Sequence, residues 1–181
     1  MMKIQTGLLL LLLLSVILYG CPYQSPYGID DEPEQYIDET LLGKWAVMSP
    51  RPSYENRYRE APVKIIFNQY TDKEYDMLIT GYIDELRPYK VVVDDTIRAR
   101  AFLSVVASRQ FLNVFVAGRY YIAELQKEGS KISILTLAEQ FTNKYVKNSM
   151  VLRKAIEVHY KTKPLPTYDD WFVLRNLQKV N

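Results

Sequence analysis

The stretch IRARAFLSVV, residues 97–106, decides the fold class, because its apolar and polar side chains alternate. Alternate side chains of a strand point to opposite faces of a sheet, so this pattern predicts a β-strand with one buried face. One face carries the apolar set Ile97, Ala99, Ala101, Leu103 and Val105, and the other carries Arg98, Arg100, Phe102 and Ser104. We therefore expect a β-rich domain around this strand.

Similar stretches lie on both sides of residues 97–106 and are separated by short turns. They are VKIIFNQY (63–70), EYDMLITGYI (74–83), FLNVFVAG (111–118), RYYIAELQ (119–126) and KISILTLA (131–138). Such connections suit antiparallel hairpins and are too short for parallel crossovers. A helical stripe follows in NSMVLRKAIEVHYK (148–161), after a shorter helical stretch near 137–145, and WFVLRNLQKV (171–180) forms a last strand.

The fold predicted from these elements is mainly β: an antiparallel β-barrel, a meander of eight or nine strands with a C-terminal helix before the last strand. A closed barrel leaves no unpaired strand edge. The opening segment LLGKWAV (41–47) resembles that of lipocalins and lipocalin-like domains, in which a Gly-x-Trp closes the barrel base. The resemblance implies this role for Gly43 and Trp45, with Arg175 covering the tryptophan. The second lipocalin signature, a Thr-Asp-Tyr turn between two late strands, is absent from its expected place.

The amino terminus has the pattern of an export signal. Lys3 precedes the apolar run 8–18, which is too short to span a bilayer as a helix. The run ends in LYGC (18–21), which resembles the lipobox of bacterial lipoproteins. The resemblance implies cleavage between Gly20 and Cys21, and diacylglyceryl and acyl chains on Cys21. Residues 1–20 are therefore predicted to be a lipoprotein signal peptide, and the mature protein to be anchored in the bacterial cell envelope, at the outer membrane.

Residues 21–40 are predicted to form an acidic, flexible tether, since 22–40 contain six acidic residues and no basic one. The barrel domain is then assigned to 41–181. Setting aside Lys3 and the six tether acids leaves 22 basic and 15 acidic side chains in that domain. The basic residues are scattered and no RNA-binding signature is present, so nucleic acid is not expected as a partner.

Few groups in the sequence suggest catalysis. His159 is the only histidine, and Cys21 is the only cysteine, so we expect no metal site and no cofactor other than the lipid chains on Cys21. Carboxylate pairs occur in turns at Asp84–Glu85, Asp94–Asp95 and Asp169–Asp170. Such pairs can serve a glycosidase or bind calcium, but aspartate is also common in turns for its local backbone hydrogen bonds. No catalytic residue is assigned.

Tyrosine is abundant, with 15 residues in the chain, and several lie on or beside predicted strands. Aromatic rings with a polar tip suit a cavity for a lipid or sugar, and we interpret Tyr75, Tyr82, Tyr120 and Tyr121 as candidate ligand-binding residues. The predicted function is thus a lipid-anchored binding or interaction module, non-catalytic, for a small apolar ligand or an envelope protein. Two alternatives stay open: a hydrolase acting on glycan or peptide, and a structural subunit of an envelope complex.

Overall fold

A computed structural model describes residues 22–51, 59–81, 92–93, 96–142, 145–162 and 167–180. Ten strands are assigned in these ranges: β1 (Gln24–Ser25), β2 (Gly43–Arg51), β3 (Arg59–Gln69), β4 (Glu74–Thr80), β5 (Val92–Val93), β6 (Thr96–Val106), β7 (Arg109–Val116), β8 (Arg119–Glu128), β9 (Lys131–Leu137) and β10 (Tyr168–Val180). One α-helix, α1 (Ser149–Thr162), precedes the last strand, and short 3₁₀ helices occur at Glu39–Leu41 and Glu139–Phe141.

Eight strands close into an antiparallel barrel. Each of β2, β3, β4, β6, β7, β8, β9 and β10 pairs with the next in this order, and β10 pairs back onto β2 through Lys179 opposite Trp45. The short strands β1 and β5 pair with β8 and β6. The predicted fold class, a barrel meander with the helix before the final strand, is confirmed.

The barrel interior is apolar and follows the alternation in the sequence. On β6 the predicted face holds Ile97, Ala99, Ala101 and Leu103 in the interior core, whereas Val105 is 38% exposed. Phe102 and Ser104 are buried as well, although they belong to the opposite face. Period-two reasoning assigns that face to solvent, but other parts of the chain cover it.

The segment 22–42 supplies part of this cover. Its residues Tyr23, Ile29 and Leu41 are buried, and the amide of Ile29 donates to the Asn113 side chain at 2.7 Å. The acidic residues between them remain mostly exposed, so a few apolar side chains dock a segment whose average composition is polar. Over the described part, residues 22–40, the structure thus differs from the flexible tether expected for 21–40, and the packed unit includes the chain from Pro22 onward.

The helix α1 covers the same outer wall. Leu152, Ala155 and Ile156 pack with Phe111 and Ile122, which project outward from β7 and β8, and together they form a second apolar cluster outside the barrel. The helix closely matches the predicted range of 148–161. Near 137–145 the structure has the 3₁₀ turn Glu139–Phe141 in place of the predicted helical stretch. In the described ranges, no helix is long and apolar enough to cross a membrane.

Candidate binding cavity

The barrel encloses a cavity of about 100 Å³ in one half of its interior. Among the residues that the structure describes, apolar side chains from seven of the eight barrel strands make up nearly all of its lining, and none of these lining side chains is charged. The lining residues are Ile65, Met77, Ile79, Ile97, Val114, Val116, Tyr121, Ala123, Ile134, Thr136, Phe172 and Leu174. The Thr136 hydroxyl donates its hydrogen bond to the Phe172 carbonyl at 3.0 Å, so its proton is already used within the protein. The cavity is therefore suited to a small apolar group.

Side-chain size explains why the space lies in this half. Toward the Ala117–Gly118 turn, which we call the cavity end, the interior is lined largely by aliphatic residues, with the small Ala123 on β8. Toward the opposite end, which we call the base, Trp45, Phe67 and Tyr75 fill the barrel, and the Phe67 and Tyr75 rings meet edge to face at 5.6 Å. Close packing leaves no comparable room there.

Trp45 lies in the interior core at the base. Its side chain is buried and its indole Nε1 donates to the Leu41 carbonyl at 2.7 Å. The cation above the ring belongs to Lys179, whose Nζ lies 5.6 Å from the ring centroid and donates to the Thr40 carbonyl at 3.3 Å. Gly43, with a φ of +110°, makes room for the lysine chain, because a Cβ there would lie 3.1 Å from Lys179 Cε.

Arg175 does not take the expected place over Trp45. Lys179 is directly opposite Trp45 in the β2–β10 register, and Arg175 lies four residues earlier on the same strand, with an exposed side chain. Four strand residues span ~13 Å, and an irregularity between Leu174 and Leu177 shifts the pairing of β10 with β9. The prediction of Arg175 over the indole is therefore wrong, because the register of β10 on β2 places Lys179 at the ring.

The four candidate tyrosines have different locations. Tyr121 lines the cavity. Tyr75 is fully buried at the base, where its hydroxyl accepts a hydrogen bond from the Asp38 amide, and burial raises its pKa. Tyr120 lies on the outer face against Phe102 and Phe115, at 6.1 and 4.9 Å. Tyr82 lies outside the described residues. Of the three in the described ranges, the structure places Tyr121 alone in the cavity wall.

The aliphatic cavity residues do not belong to the polar-tipped aromatics that the sequence suggested as ligand-binding residues. Their signal was the inward face of each strand, which the alternation did identify, for example Ile65 on β3 and Met77 on β4. Alternation shows which residues face inward but not how tightly they pack. The empty volume depends on the summed shapes of eight strands, and a single strand does not contain that information.

A buried polar network joins the segment 22–42, the barrel and α1. Ser104 Oγ donates to Asp30 at 2.7 Å and accepts from Asn113 Nδ2 at 2.8 Å, and Arg153 on α1 forms an ion pair with Asp30. Asp30 is only 8% exposed, so its charge is stabilised by these partners. This network explains why Asp30 is buried while most of the other acidic residues of the segment are exposed.

A second polar cluster surrounds Glu124 on the outer face. Its carboxylate, 2% exposed, accepts from Arg109 Nη1 at 2.7 Å, Tyr160 Oη at 2.6 Å, Gln126 Nε2 at 3.0 Å and the Tyr168 hydroxyl. Burial opposes the charge, but the hydrogen bonds outweigh it and lower the pKa of Glu124. Burial and the bond to Glu124 raise the pKa of Tyr168 to about 12. The group joins β8, α1 and β10.

The carboxylate pairs do not form a described site. Asp169 is buried, and its Oδ1 accepts from the Phe172 amide at 3.1 Å, a local interaction near the start of β10, where the sequence predicts a turn. The other five pair members fall outside the residues whose side chains the structure describes. His159 is buried at 3% exposure, and its Nε2 accepts from the Thr167 amide at 3.0 Å. Over the described ranges, no group of three or more metal-ligating side chains forms.

In comparisons with known proteins, no family model, no curated protein and no solved structure matches the chain. The class that the structure defines is a closed eight-stranded antiparallel barrel with an apolar internal cavity.

Proposed function

We propose that the protein is a lipid-anchored binding protein of the bacterial cell envelope, at the outer membrane, and that its barrel cavity takes part of an apolar chain. Two features support the proposal. The lipobox-like segment ending at Cys21 favours acylation of the mature amino terminus. The cavity of about 100 Å³, almost wholly apolar, is the observation that carries the binding function.

The size and lining of the cavity favour a slender ligand. A dry apolar cavity of ~150 Å³ accommodates benzene, so ~100 Å³ suits a few methylene groups of a hydrocarbon chain. Each buried methylene contributes ~0.8 kcal/mol. The described lining side chains are uncharged, which disfavours a polar headgroup inside, so we expect the acyl chain to enter and its headgroup to stay at the cavity end.

Filling the cavity tests this function. The Ala123→Leu variant adds three carbon atoms at a cavity-lining position. The Ala46→Leu variant is the control, because it adds the same atoms on the outer face of β2. Ala46 follows the inward-facing Trp45, and its strand partners Lys64 and Gln178 are exposed. Native mass spectrometry with added dodecanoate is the measurement, with thermal unfolding as the check on folding. We expect the parent and Ala46→Leu proteins to retain dodecanoate and Ala123→Leu to lose it. Equal retention by all three would contradict binding in the cavity.

A further inference from the structure

We propose that the barrel is held with its cavity end toward the bilayer and without an intervening spacer, so that acyl chains of membrane lipids reach the cavity directly. This orientation rests on the lipid anchor proposed for Cys21 and goes beyond it. The ligand class follows from it: the apolar chain is supplied by the lipid of the membrane in which the protein is anchored.

The first argument is the place of Pro22, the residue after Cys21. Pro22 is buried and bridges Ala138, and the next amide, of Tyr23, donates to the Leu137 carbonyl at 2.8 Å. Consecutive Cα atoms are ~3.8 Å apart, so a lipid attached to the preceding residue begins beside this wall. A spacer of the expected kind would place the attachment far from the barrel, and the observed packing leaves no length for one.

This part of the wall belongs to the cavity half of the barrel. Leu137 follows Thr136, a cavity-lining residue, at the end of β9. β1 continues the sheet at the same level, because Gln24 pairs with Tyr121, another cavity-lining residue. The Trp45 base lies at the other end of the same strands. The anchor therefore lies on the side of the cavity, and the base is the end farther from it.

Charge supports the same orientation. The acidic side chains of Asp31, Glu32, Glu34 and Glu39 are exposed on the part of the segment that runs to the base, where the Ile37 amide donates to the Asp72 carbonyl at 2.9 Å. Exposed arginines, Arg98 and Arg119, lie at the cavity end, but the base also carries exposed basic side chains, among them Arg109 and Lys131, so the two ends differ in the exposed acidic side chains of this segment. An anionic bilayer surface attracts basic groups and repels acidic ones within about one Debye length, ~10 Å. The acidic segment is thus directed away from the membrane.

The two ends of β8 provide a matched pair of probes. Arg119 and Glu128 are the exposed first and last residues of this strand, ~30 Å apart at ~3.3 Å per residue. Cys21 is the only cysteine and its thiol is acylated in the mature protein, so the Arg119→Cys and Glu128→Cys variants each offer one thiol for a fluorophore. The acylated full-length proteins are reconstituted in phosphatidylethanolamine–phosphatidylglycerol vesicles that contain a headgroup nitroxide lipid. Quenching of each label and flotation with the vesicles are measured.

The orientation predicts quenching at Arg119 at least about twofold greater than at Glu128, because the labels lie ~30 Å apart. Equal quenching, or greater quenching at Glu128, in a protein that floats with the vesicles would overturn the orientation and leave the lipid anchor intact. Failure to float would overturn the lipid anchor itself, and the orientation with it.

A linker variant separates the role of the docked segment from that of the lipid. Insertion of a long Gly-Ser linker between Cys21 and Pro22 keeps the acyl acceptor but frees the barrel to rotate and move away. We expect flotation to be unchanged and the difference between the Arg119 and Glu128 labels to disappear. If the difference persisted unchanged, attachment beside Pro22 would not be what orients the barrel, and the proposal as stated would be wrong.

Discussion

Lys179 lies over the indole ring of Trp45, with Nζ 5.6 Å from the ring centroid, and the two residues are cross-strand partners on β10 and β2. This pair joins the two ends of the barrel meander. The Trp45 indole donates a hydrogen bond to the Leu41 carbonyl, and the Lys179 ammonium group donates one to the Thr40 carbonyl. The segment before β2 is therefore bound to the same pair. The base of the barrel is therefore one structural unit built from both ends of the domain.

The first prediction concerns this pair. Truncation of the buried indole by Trp45→Ala should lower the free energy of unfolding by ~3–5 kcal/mol. Lys179→Ala should cost ~0.5–1 kcal/mol, as a half-exposed cation–π contact. Urea unfolding of the single and double variants should show a coupling of ~0.5 kcal/mol or more. Arg175→Ala is the matched control, and a coupling of Arg175 with Trp45 equal to that of Lys179 would contradict the register.

The second prediction concerns the docked segment. Ile29 is 1% exposed against the outer wall, so Ile29→Ala should lower the free energy of unfolding by ~2–5 kcal/mol. Tyr36, 71% exposed on the same segment, supplies the control, and Tyr36→Ala should change stability by no more than ~0.5 kcal/mol. Chemical denaturation of both variants is the measurement. Two equally small effects would show that residues 22–40 behave as a free tether after all.

The third prediction is a pH dependence from Glu124. Its folded-state pKa is lowered by hydrogen bonds from four neighbours, so its ionised form stabilises the fold above its unfolded pKa of about 4.5. That contribution is lost as the pH falls through the lower folded-state pKa. The parent protein should therefore lose more stability on acidification than Glu124→Gln, which cannot titrate there. Glu128→Gln, exposed on the same strand, should follow the parent.

Denaturant unfolding measured between about pH 7 and pH 3 checks this expectation. At neutral pH, Glu124→Gln should be less stable than the parent, because the bond to Arg109 loses its charge and an amide replaces one acceptor of the tyrosine hydroxyls. The curves of the variant and the parent should converge in acid. Parallel curves across the whole range would exclude Glu124 as the source of the pH dependence.

The fourth prediction concerns the anchor. If the thiol of Cys21 accepts the diacylglyceryl group, Cys21→Ala should abolish incorporation of labelled palmitate and leave the protein either with its signal uncut or released in soluble form. Cys21→Ser, which keeps the size of the side chain without the thiol, should behave in the same way. Incorporation equal to that of the parent in both variants would contradict the lipoprotein interpretation.

The sequence by itself determined the main barrel strands, their antiparallel order and the helix α1, because these depend on local periodicity, but it did not reveal the two-residue strands β1 and β5. Alternation in residues 97–106 marked the face of β6 that lines the barrel, and short turns required antiparallel neighbours. Gly43 and Trp45 form a local Gly-x-Trp motif that is visible in the sequence, and the structure places Trp45 in the interior at the base. The lipobox-like segment before Pro22 is likewise a local pattern, and the acylation that it predicts stays a prediction.

Only the tertiary structure decided the contacts between parts of the chain that are distant in sequence. The pairing of Trp45 with Lys179 depends on the register in which the barrel closes, and residues 22–42 dock because α1 and the outer faces of β6–β8 form an apolar wall. The cavity around Ala123 is the space left by inward side chains from most of the barrel strands. The register of the closing strands, the docking of the segment and the unfilled volume each depend on contacts across the whole fold, so no local pattern of residues contains them.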